Sequence, residues 1–443
     1  MQNDYLTQKK PLPALFLFAL PMMIGNLFQQ TYTMADSAIV GRFVGEQALA
    51  AVGASYALTN IFICVAIGGG MGASVVVSRY FGAKNYGRMK LAVYTAFLAF
   101  LLISAALGGA GLLLGGQIME LLNTPDDVLD MARAYLDIYF LGLPFLFMYN
   151  VLSAMFNALG KSRIPLYFLI FSSLFNIALD LVLVVRFGMG VTGVAWATLI
   201  AQGISAVLSF FVFMRVIGRL PGARTGLFSR AELGAMTRIA LPSILQQSTV
   251  SIGMMLVQSV VNSFGSEALA GFSAAMRIES LCVVPMAAIG NAVSSYTAQN
   301  IGAGKKERVV AGYRVANGMV VCCGAVICLL LEAFYRPIVG LFLGTDAAAA
   351  AYATGEGYLR FMGFFFCLIG FKMAVDGLLR GAGDMTMFTV ANLANLFLRV
   401  VIAVTCAPRF GIAMVWYAVP VGWLLNWAIS YAQYRTGKWK RIR

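Results

Sequence analysis

The stretch PMMIGNLFQQTYTMADSAIVG, residues 21–41, decides how this chain is interpreted, because it is apolar enough to cross a membrane and yet contains a carboxylate. A charged side chain inside a membrane span costs about 2.5–3.5 kcal/mol on insertion scales, so Asp36 is a candidate functional residue. Pro21 lies fifteen residues earlier and removes a backbone donor, which predicts a hinge in the helix. An acid on a bendable helix is typical of an ion or proton pathway.

The composition of the whole chain is that of a polytopic membrane protein. Of its 443 residues, 60% are hydrophobic and 11% are charged, whereas soluble proteins average about 25% charged residues. A membrane-spanning helix needs about 20 apolar residues, so the pattern predicts an all-α integral membrane fold with twelve transmembrane helices. The predicted spans are 12–37, 48–78, 90–116, 132–158, 164–186, 190–214, 238–263, 268–298, 312–334, 356–379, 386–408 and 412–433.

The distribution of positive charge predicts the topology. The net charge of +14 could suggest a nucleic-acid partner, but 23 of the 32 Lys and Arg residues fall on one side of the twelve predicted spans. Such a bias marks the cytoplasmic side. We therefore expect a multi-pass protein of the cytoplasmic (inner) membrane with both termini in the cytoplasm and no nucleic-acid partner. Three cations fall inside spans: Arg277, Lys372 and Arg399.

The residue types that are missing exclude several classes of function. The chain has no His, the commonest proton shuttle and metal ligand, so any proton carrier must be Asp or Glu. Its seven Cys all fall in predicted spans, which favours small buried apolar residues over a disulfide framework. No nucleophile–base spacing stands out, so we expect neither an enzyme nor a bound cofactor.

The chain contains an internal repeat of about 220 residues. Ala19-Leu20-Pro21 returns as Ala240-Leu241-Pro242 at an offset of 221, and Arg186-Phe187-Gly188 returns as Arg409-Phe410-Gly411 at an offset of 223. Tyr135-Leu136 likewise returns as Tyr358-Leu359. Six spans per repeat is an even number, so both halves enter the membrane from the same side. The repeat predicts two six-helix bundles related by a pseudo-two-fold axis along the membrane normal, a recurring transporter design.

The repeat also predicts the domain boundaries. Residues 1–215 should form an N-lobe that contains the ion site, and residues 237–443 should form a C-lobe. The basic segment 216–236 between them should be a cytoplasmic linker.

Two acids share the same predicted depth in the first half. Asp36 lies six residues before Arg42, and Asp180 lies six residues before Arg186, on spans that run in the same direction. At 1.5 Å per residue, each carboxylate is roughly 9 Å below its arginine. Asn176 is one helical turn from Asp180 on the same face.

Other polar residues extend this constellation. Tyr32 lies one turn before Asp36, Thr198 is on span six, and Asn150 lies in the middle of span four. Oxygen-rich groups bind hard cations, and repulsion between two close carboxylates favours uptake of a proton. The site therefore suits a proton, Na⁺, or both in competition. The alternative is two unrelated acids, each hydrogen-bonded for structural reasons.

The second half does not copy these acids, because Asp36 becomes Val257 and Asp180 becomes Ala403 at the repeat offsets. Its embedded charges favour internal ion pairs over direct roles in transport, and the i, i+4 spacing predicts a pair between Asp376 and Arg380. The embedded charges are Arg277, Glu279, Lys372, Asp376 and Arg399.

Taken together, the spans, the repeat and three motifs resemble the multidrug and toxic compound extrusion (MATE) transporters over essentially the whole chain. The motifs are ADSAIVGRFVGEQALAAVG at 35–53, RIESLCVVPMAAIGNAVSSYTAQNIGAGK at 277–305 and VDGLLRGAGDM at 375–385. The resemblance implies a monomeric antiporter in the lipid membrane that exports organic cations or drugs in exchange for H⁺ or Na⁺. Alternating access would involve bending of the first span.

The resemblance also implies roles for particular residues. It places the ion site at Asp36, Asn176, Asp180 and Thr198, adds Tyr32 and Asn150 as linked residues, and makes Pro21 the hinge. It does not extend to a second ion site, since span seven has no acid. An alternative function in the same superfamily is a flippase for lipid-linked precursors. Such a protein would be expected to line its cavity with basic residues, whereas the embedded cations here are all in the second half.

Overall fold

The computed structural model describes residues 4–121, 124–222, 226–343 and 348–441, and these are overwhelmingly helical. Residues 223–225 of the predicted linker lie outside the described ranges. Two short π-helical segments, Val40–Val44 and Leu181–Arg186, and a 3₁₀ turn, Lys438–Lys440, accompany the α-helices. The α-helices are α1 Tyr5–Gln8, α2 Pro11–Ile39, α3 Glu46–Gly82, α4 Tyr86–Leu121, α5 Asp126–Ala158, α6 Arg163–Asp180, α7 Gly190–Gly218, α8 Arg230–Asn262, α9 Ser266–Gly302, α10 Lys306–Gly340, α11 Ala349–Gly363, α12 Phe366–Ala382, α13 Met385–Phe410 and α14 Ala413–Thr436.

The helices confirm the predicted all-α membrane architecture. Eleven of the described spans are long and apolar enough to cross a membrane, and α11 with α12 makes a twelfth if this bent pair is one span. The predicted span 356–379 is bent, because α11 and α12 meet at 55° between Gly363 and Phe366. A tight turn, in which the Phe365 N–H donates to the Met362 carbonyl at 2.9 Å, closes the break. The residues there are as apolar as a continuous span, so hydropathy could not reveal it.

Contacts divide the chain into two compact units. The first unit is Ile24–Ile244, and the second unit is Met1–Met23 with Leu245–Arg443. Both divisions fall inside a helix and two residues after a proline: in α2 after Pro21 and in α8 after Pro242. These units are defined by packing, whereas the lobes 1–215 and 237–443 come from the sequence repeat and stay a prediction.

Within the first unit, α5 is the central helix and packs against α3, α4 and α7. Small residues allow the close approach of α4, because a Cβ at Gly111 would lie 2.5 Å from the Phe140 ring and one at Gly108 would lie 2.7 Å from the Phe140 carbonyl oxygen. Close packing at glycine is how helices associate where lipid gives no hydrophobic drive. This packing holds α5 and α7 in place as walls of the site described below.

Within the second unit, α9 packs most extensively against α12. A Cβ at Gly377 would overlap the carbonyl oxygen of Gly290, so the two backbones touch without side chains between them. This contact positions the charged residues of α12 inside the unit, where Lys372 and Asp376 are 5% and 2% exposed.

Candidate functional site

The structure brings Asp36 and Asp180 together in the first unit. Asp36 is on α2, and Asp180 is the last residue of α6. Their carboxyl groups lie close enough to interact directly, and two carboxyl groups can share a hydrogen bond only when one of them carries a proton. Asp180 is fully buried, whereas Asp36 is partly exposed. We call these two residues the acid pair.

Asn176 connects the acid pair to α2 and α7. With its amide oxygen towards α7, Asn176 Oδ1 accepts hydrogen bonds from the Thr198 backbone N–H at 3.0 Å and from the Thr198 hydroxyl at 3.2 Å. The amide nitrogen then donates to Asp180 Oδ2 at 2.9 Å and to the Tyr32 hydroxyl at 3.0 Å. One buried amide therefore links side chains from three helices, which fixes the position of Asp180.

Two carboxylate oxygens of the acid pair can still accept a hydrogen bond or bind a cation. Asp36 Oδ1 and Asp180 Oδ1 are buried and accept no hydrogen bond within the described part of the chain. A buried acceptor without a partner costs about 1–3 kcal/mol, and a bound cation or proton would remove that cost. With the oxygens of Asn176, Thr198 and Tyr32 nearby, the donor set is one of hard oxygens, which suits H⁺ or Na⁺. The described residues include no group of three or more His, Cys, Asp or Glu that could hold a metal ion.

Both acid-bearing helices change to π-helix soon after the acid. The segment Val40–Val44 begins four residues after Asp36, and Leu181–Arg186 begins directly after Asp180. In a π-helix each N–H bonds to the carbonyl five residues earlier. The first segment ends with such a bond, in which Gly45 N–H donates to the Val40 carbonyl at 3.1 Å. Of the repeat-equivalent stretches, 404–409 is α-helical within α13, whereas 261–265 runs past the end of α8 at Asn262. Short π segments are frequent at functional sites. The two here follow Asp36 and Asp180, the residues with the unpartnered carboxylate oxygens.

An apolar cluster borders the acid pair on the side of these π segments. We call it the valine cluster; it consists of Val40, Ala48, Val184, Val191 and Val194. Each member is at most 6% exposed. Water or an ion has no polar partner in such surroundings. The cluster therefore closes one side of the acid pair.

Tyr135 is a site residue that sequence reasoning missed. It packs against the valine cluster, and its hydroxyl lies close enough to Asp36 and Asp180 to interact with both electrostatically. The repeat contained a signal for it, since Tyr135-Leu136 is one of the pairs that return in the second half, as Tyr358-Leu359.

Asn150 and Pro21 are the remaining predicted residues. Asn150 hydrogen-bonds within its own helix, where Nδ2 donates to the Leu146 carbonyl at 2.8 Å. Pro21 lies in the interior of α2, which continues as a helix on both sides of it. The roles of both residues stay predictions.

The embedded charges of α12 form an internal ion pair. Lys372 Nζ lies 3.1 Å from Asp376 Oδ2 and donates to Asn392 Oδ1 at 3.1 Å. The other carboxylate oxygen of Asp376 accepts from Ser430 at 2.8 Å, and Gln246 Nε2 lies 3.4 Å from Oδ2. Helices α8, α12, α13 and α14 thus meet at one carboxylate.

Arg380 has other partners besides Asp376. Its guanidinium donates to Asn291 Oδ1 at 2.7 Å and to Ser294 Oγ at 3.3 Å, while its interaction with Asp376 is electrostatic. The spacing predicted an Asp376–Arg380 pair, and the ion pair of Asp376 recorded in the structure is with Lys372.

The other embedded charges of the second unit lie on α9 and α13. Glu279 is 7% exposed, hydrogen-bonds with the Tyr358 hydroxyl and interacts electrostatically with Arg399. Arg277, in contrast, is exposed. Glu279 therefore has a cation near it, while Arg399 Nε donates no hydrogen bond within the described part of the chain.

Comparison with known sequences gives two matches to the MatE family profile, at residues 21–182 and 242–405. The matches begin at Pro21 and Pro242, so the family profile covers each half of the internal repeat once.

Single relatives agree over the full length. The chain is 31% identical to the Probable multidrug resistance protein YpnP of Bacillus subtilis, over 99% of this chain and 98% of that protein. Among solved structures, a MOP superfamily transporter from Pyrococcus furiosus superposes with a TM-score of 0.92 at 22% identity, covering 98% of both chains. A MATE protein in a bent conformation gives a TM-score of 0.90 at 23% identity, over 100% of this chain and 99% of that one.

Proposed function

The chain belongs to the MatE family of multi-pass membrane transporters, and we propose that it exports organic cations in exchange for H⁺ or Na⁺ bound at the acid pair. The drug-like substrate class follows from the multidrug resistance relative. We further propose that the chain acts as a monomer in the cytoplasmic membrane, with both termini inside, as its positive charges favour.

One observation carries the proposal: two contacting carboxyl groups, each with a buried oxygen that has no partner among the described residues. A structural pair would be expected to satisfy its acceptors, since unpaired buried groups are costly. An ion-binding pair needs free acceptors in the state that receives the ion. Asn176, Thr198 and Tyr32 then position the pair and supply further oxygens.

The helix that carries Asp36 has features suited to bending. Pro21 interrupts its hydrogen-bond ladder, and the two packing units divide two residues later. Three hydroxyls beyond Pro21 bond back to their own helix: Thr31 to the Leu27 carbonyl at 3.1 Å, Thr33 at 2.9 Å and Ser37 at 3.0 Å. Such back-bonding often bends helices. Binding of an ion at Asp36 could therefore be transmitted along α2 to Pro21, which would reshape the N-lobe and release the drug.

The test is efflux of a fluorescent organic cation from proteoliposomes under an imposed pH gradient or an imposed Na⁺ gradient. We expect one gradient or both to accelerate efflux by the wild type and Asp36→Asn to abolish the acceleration. Glu46→Gln is the matched control, because it removes an exposed carboxylate from the same unit. Full gradient-driven efflux by Asp36→Asn would show that the ion binds elsewhere, and no response of the wild type to either gradient would reject antiport.

A further inference from the structure

A cavity lies between α5 and α7 in the first unit, next to the acid pair. It has room for about one water molecule. Its polar wall is formed by Tyr135 and Tyr139 of α5 and by Thr198 and Gln202 of α7, and the rest of its lining is apolar. A cavity with several hydrogen-bonding groups and this much room can hold ordered water. We call it the α5–α7 cavity.

The polar side chains of the cavity are spaced one turn apart along α5 and α7, in the direction away from the acid pair. Tyr139 follows Tyr135 by four residues, and Gln202 follows Thr198 by four, so each is about one turn, or 5.4 Å, further along its helix. The Thr198 hydroxyl is hydrogen-bonded to the Asn176 side chain at 3.2 Å, which connects the cavity to the acid pair. Tyr139 is held in place by its bond to the Thr59 carbonyl at 3.3 Å.

The two sides of the acid pair therefore differ in polarity. The valine cluster uses the beginning of α7, at Val191 and Val194, whereas the cavity follows it at 195–202. Along both helices, increasing residue number leads from apolar side chains to the polar cavity. A hydrated ion is stable only on the polar side, because an isolated charge in apolar surroundings is very costly.

We propose that the α5–α7 cavity is a hydrated relay site, where Gln202 and Tyr139 receive the coupling ion with its water after it leaves the acid pair. This inference rests on the proposed function. For Na⁺, the hydroxyl and amide oxygens and the cavity water replace the carboxylate oxygens as ligands. For a proton, the carboxyl group gives H⁺ to cavity water, the carboxylate regains its negative charge, and the water passes the proton on. The site thus gives the ion a direction of travel, away from the valine cluster.

The experiment measures gradient-driven efflux from proteoliposomes at increasing ion concentration, with a pH arm and a Na⁺ arm, on the full-length chain. We expect Gln202→Leu to lower the maximal rate about tenfold, as loss of one polar ligand would, and to leave the half-saturating ion concentration within about twofold, since the acid pair is intact. Tyr139→Phe should act in the same direction. The arm in which the rate falls identifies the relayed ion.

A second pair of variants tests the cavity without removing a polar group. Gly142→Ala adds a methyl group to the lining, where its Cβ meets Leu199 at an ordinary 3.4 Å. Gly203→Ala adds the same group on α7 outside the lining, at 3.6 Å from Phe145. Only the first should slow efflux, because it takes the space of a water molecule. This pair decides the question if Gln202→Leu does not fold.

The outcomes separate the two proposals. If Asp36→Asn abolishes gradient-driven efflux while Gln202→Leu and Gly142→Ala keep the full rate, the relay is rejected and the proposed function stands. If Gln202→Leu raises the half-saturating ion concentration by as much as it lowers the rate, Gln202 belongs to the ion site itself and the relay is again rejected. If Asp36→Asn keeps its gradient response, the proposed function is rejected, and the relay with it.

Discussion

The buried ion pair of α12 allows a quantitative test of how the second unit is held together. Lys372 and Asp376 side chains are 6% and 3% exposed, so solvent screens their attraction little. At 3.1 Å and an effective dielectric constant of about 20, the Coulomb attraction is about 5 kcal/mol. Removing one partner breaks a buried ion pair, and such changes cost about 3–5 kcal/mol.

We predict that Lys372→Met lowers the free energy of unfolding by about 3–5 kcal/mol. Asp376→Asn alone should cost a similar amount, because the ammonium then has no counter-charge. The double variant should be less destabilised than the sum of the singles by about 2–3 kcal/mol, since neither charge is left alone. Reversible unfolding in mixed detergent micelles, followed for all four proteins, measures these values.

The chain offers an exposed pair as the control. Arg360 Nε lies 3.4 Å from Glu332 Oε2, with side chains 55% and 30% exposed. Exposed pairs contribute less than about 1 kcal/mol, so Arg360→Met should change stability by no more than that. If Lys372→Met costs no more than Arg360→Met, or if the two single effects simply add, the network around Asp376 does not depend on its charge pair.

Three further predictions concern the first unit and its hinge. Asn176→Leu should raise the half-saturating ion concentration about tenfold in the efflux assay, because it leaves Asp180 and Thr198 without their shared partner; an unchanged value would remove Asn176 from the site. Pro21→Ala restores a backbone donor in α2 and should slow efflux while the half-saturating ion concentration stays the same, so a variant with full turnover would argue against a hinge there. Gly111→Val should prevent folding, because its Cβ would be 2.5 Å from the Phe140 ring, whereas Gly109→Val has open space; gel filtration of the two should therefore differ.

The fold was largely predictable because a membrane restricts the choices. Span length is set by bilayer thickness, so twelve segments could be placed from hydropathy without knowledge of contacts. The break between Gly363 and Phe366 was not predictable in this way, since its residues are apolar. The π segment Val40–Val44 was not predictable either, because five residues are too few for the wider turn to alter the apolar pattern.

The sequence could predict which site residues share a face of one helix, but not which helices bring their residues together. Asn176 and Asp180 share a face of α6 because they are four residues apart, and that relation is visible in sequence. Contact between Asp180 and Asp36 depends on how α2 packs. The equal predicted depth of the two acids in the membrane is compatible with contact but does not establish it. Spacing also could not choose a partner for Asp376, since Lys372 and Arg380 are each four residues away; the packing of α13 and α14 decides it.

The acid pair and Asp376 differ in how their buried charge is satisfied. In the first unit, the acid pair has oxygens without partners, so an external cation or proton can lower its energy. In the second unit, Asp376 is already neutralised by Lys372, a cation that is tethered and cannot leave. A tethered cation competes with a free ion at very high local concentration. Under the proposed function, ion-driven change would therefore begin in the first unit, at the acid pair.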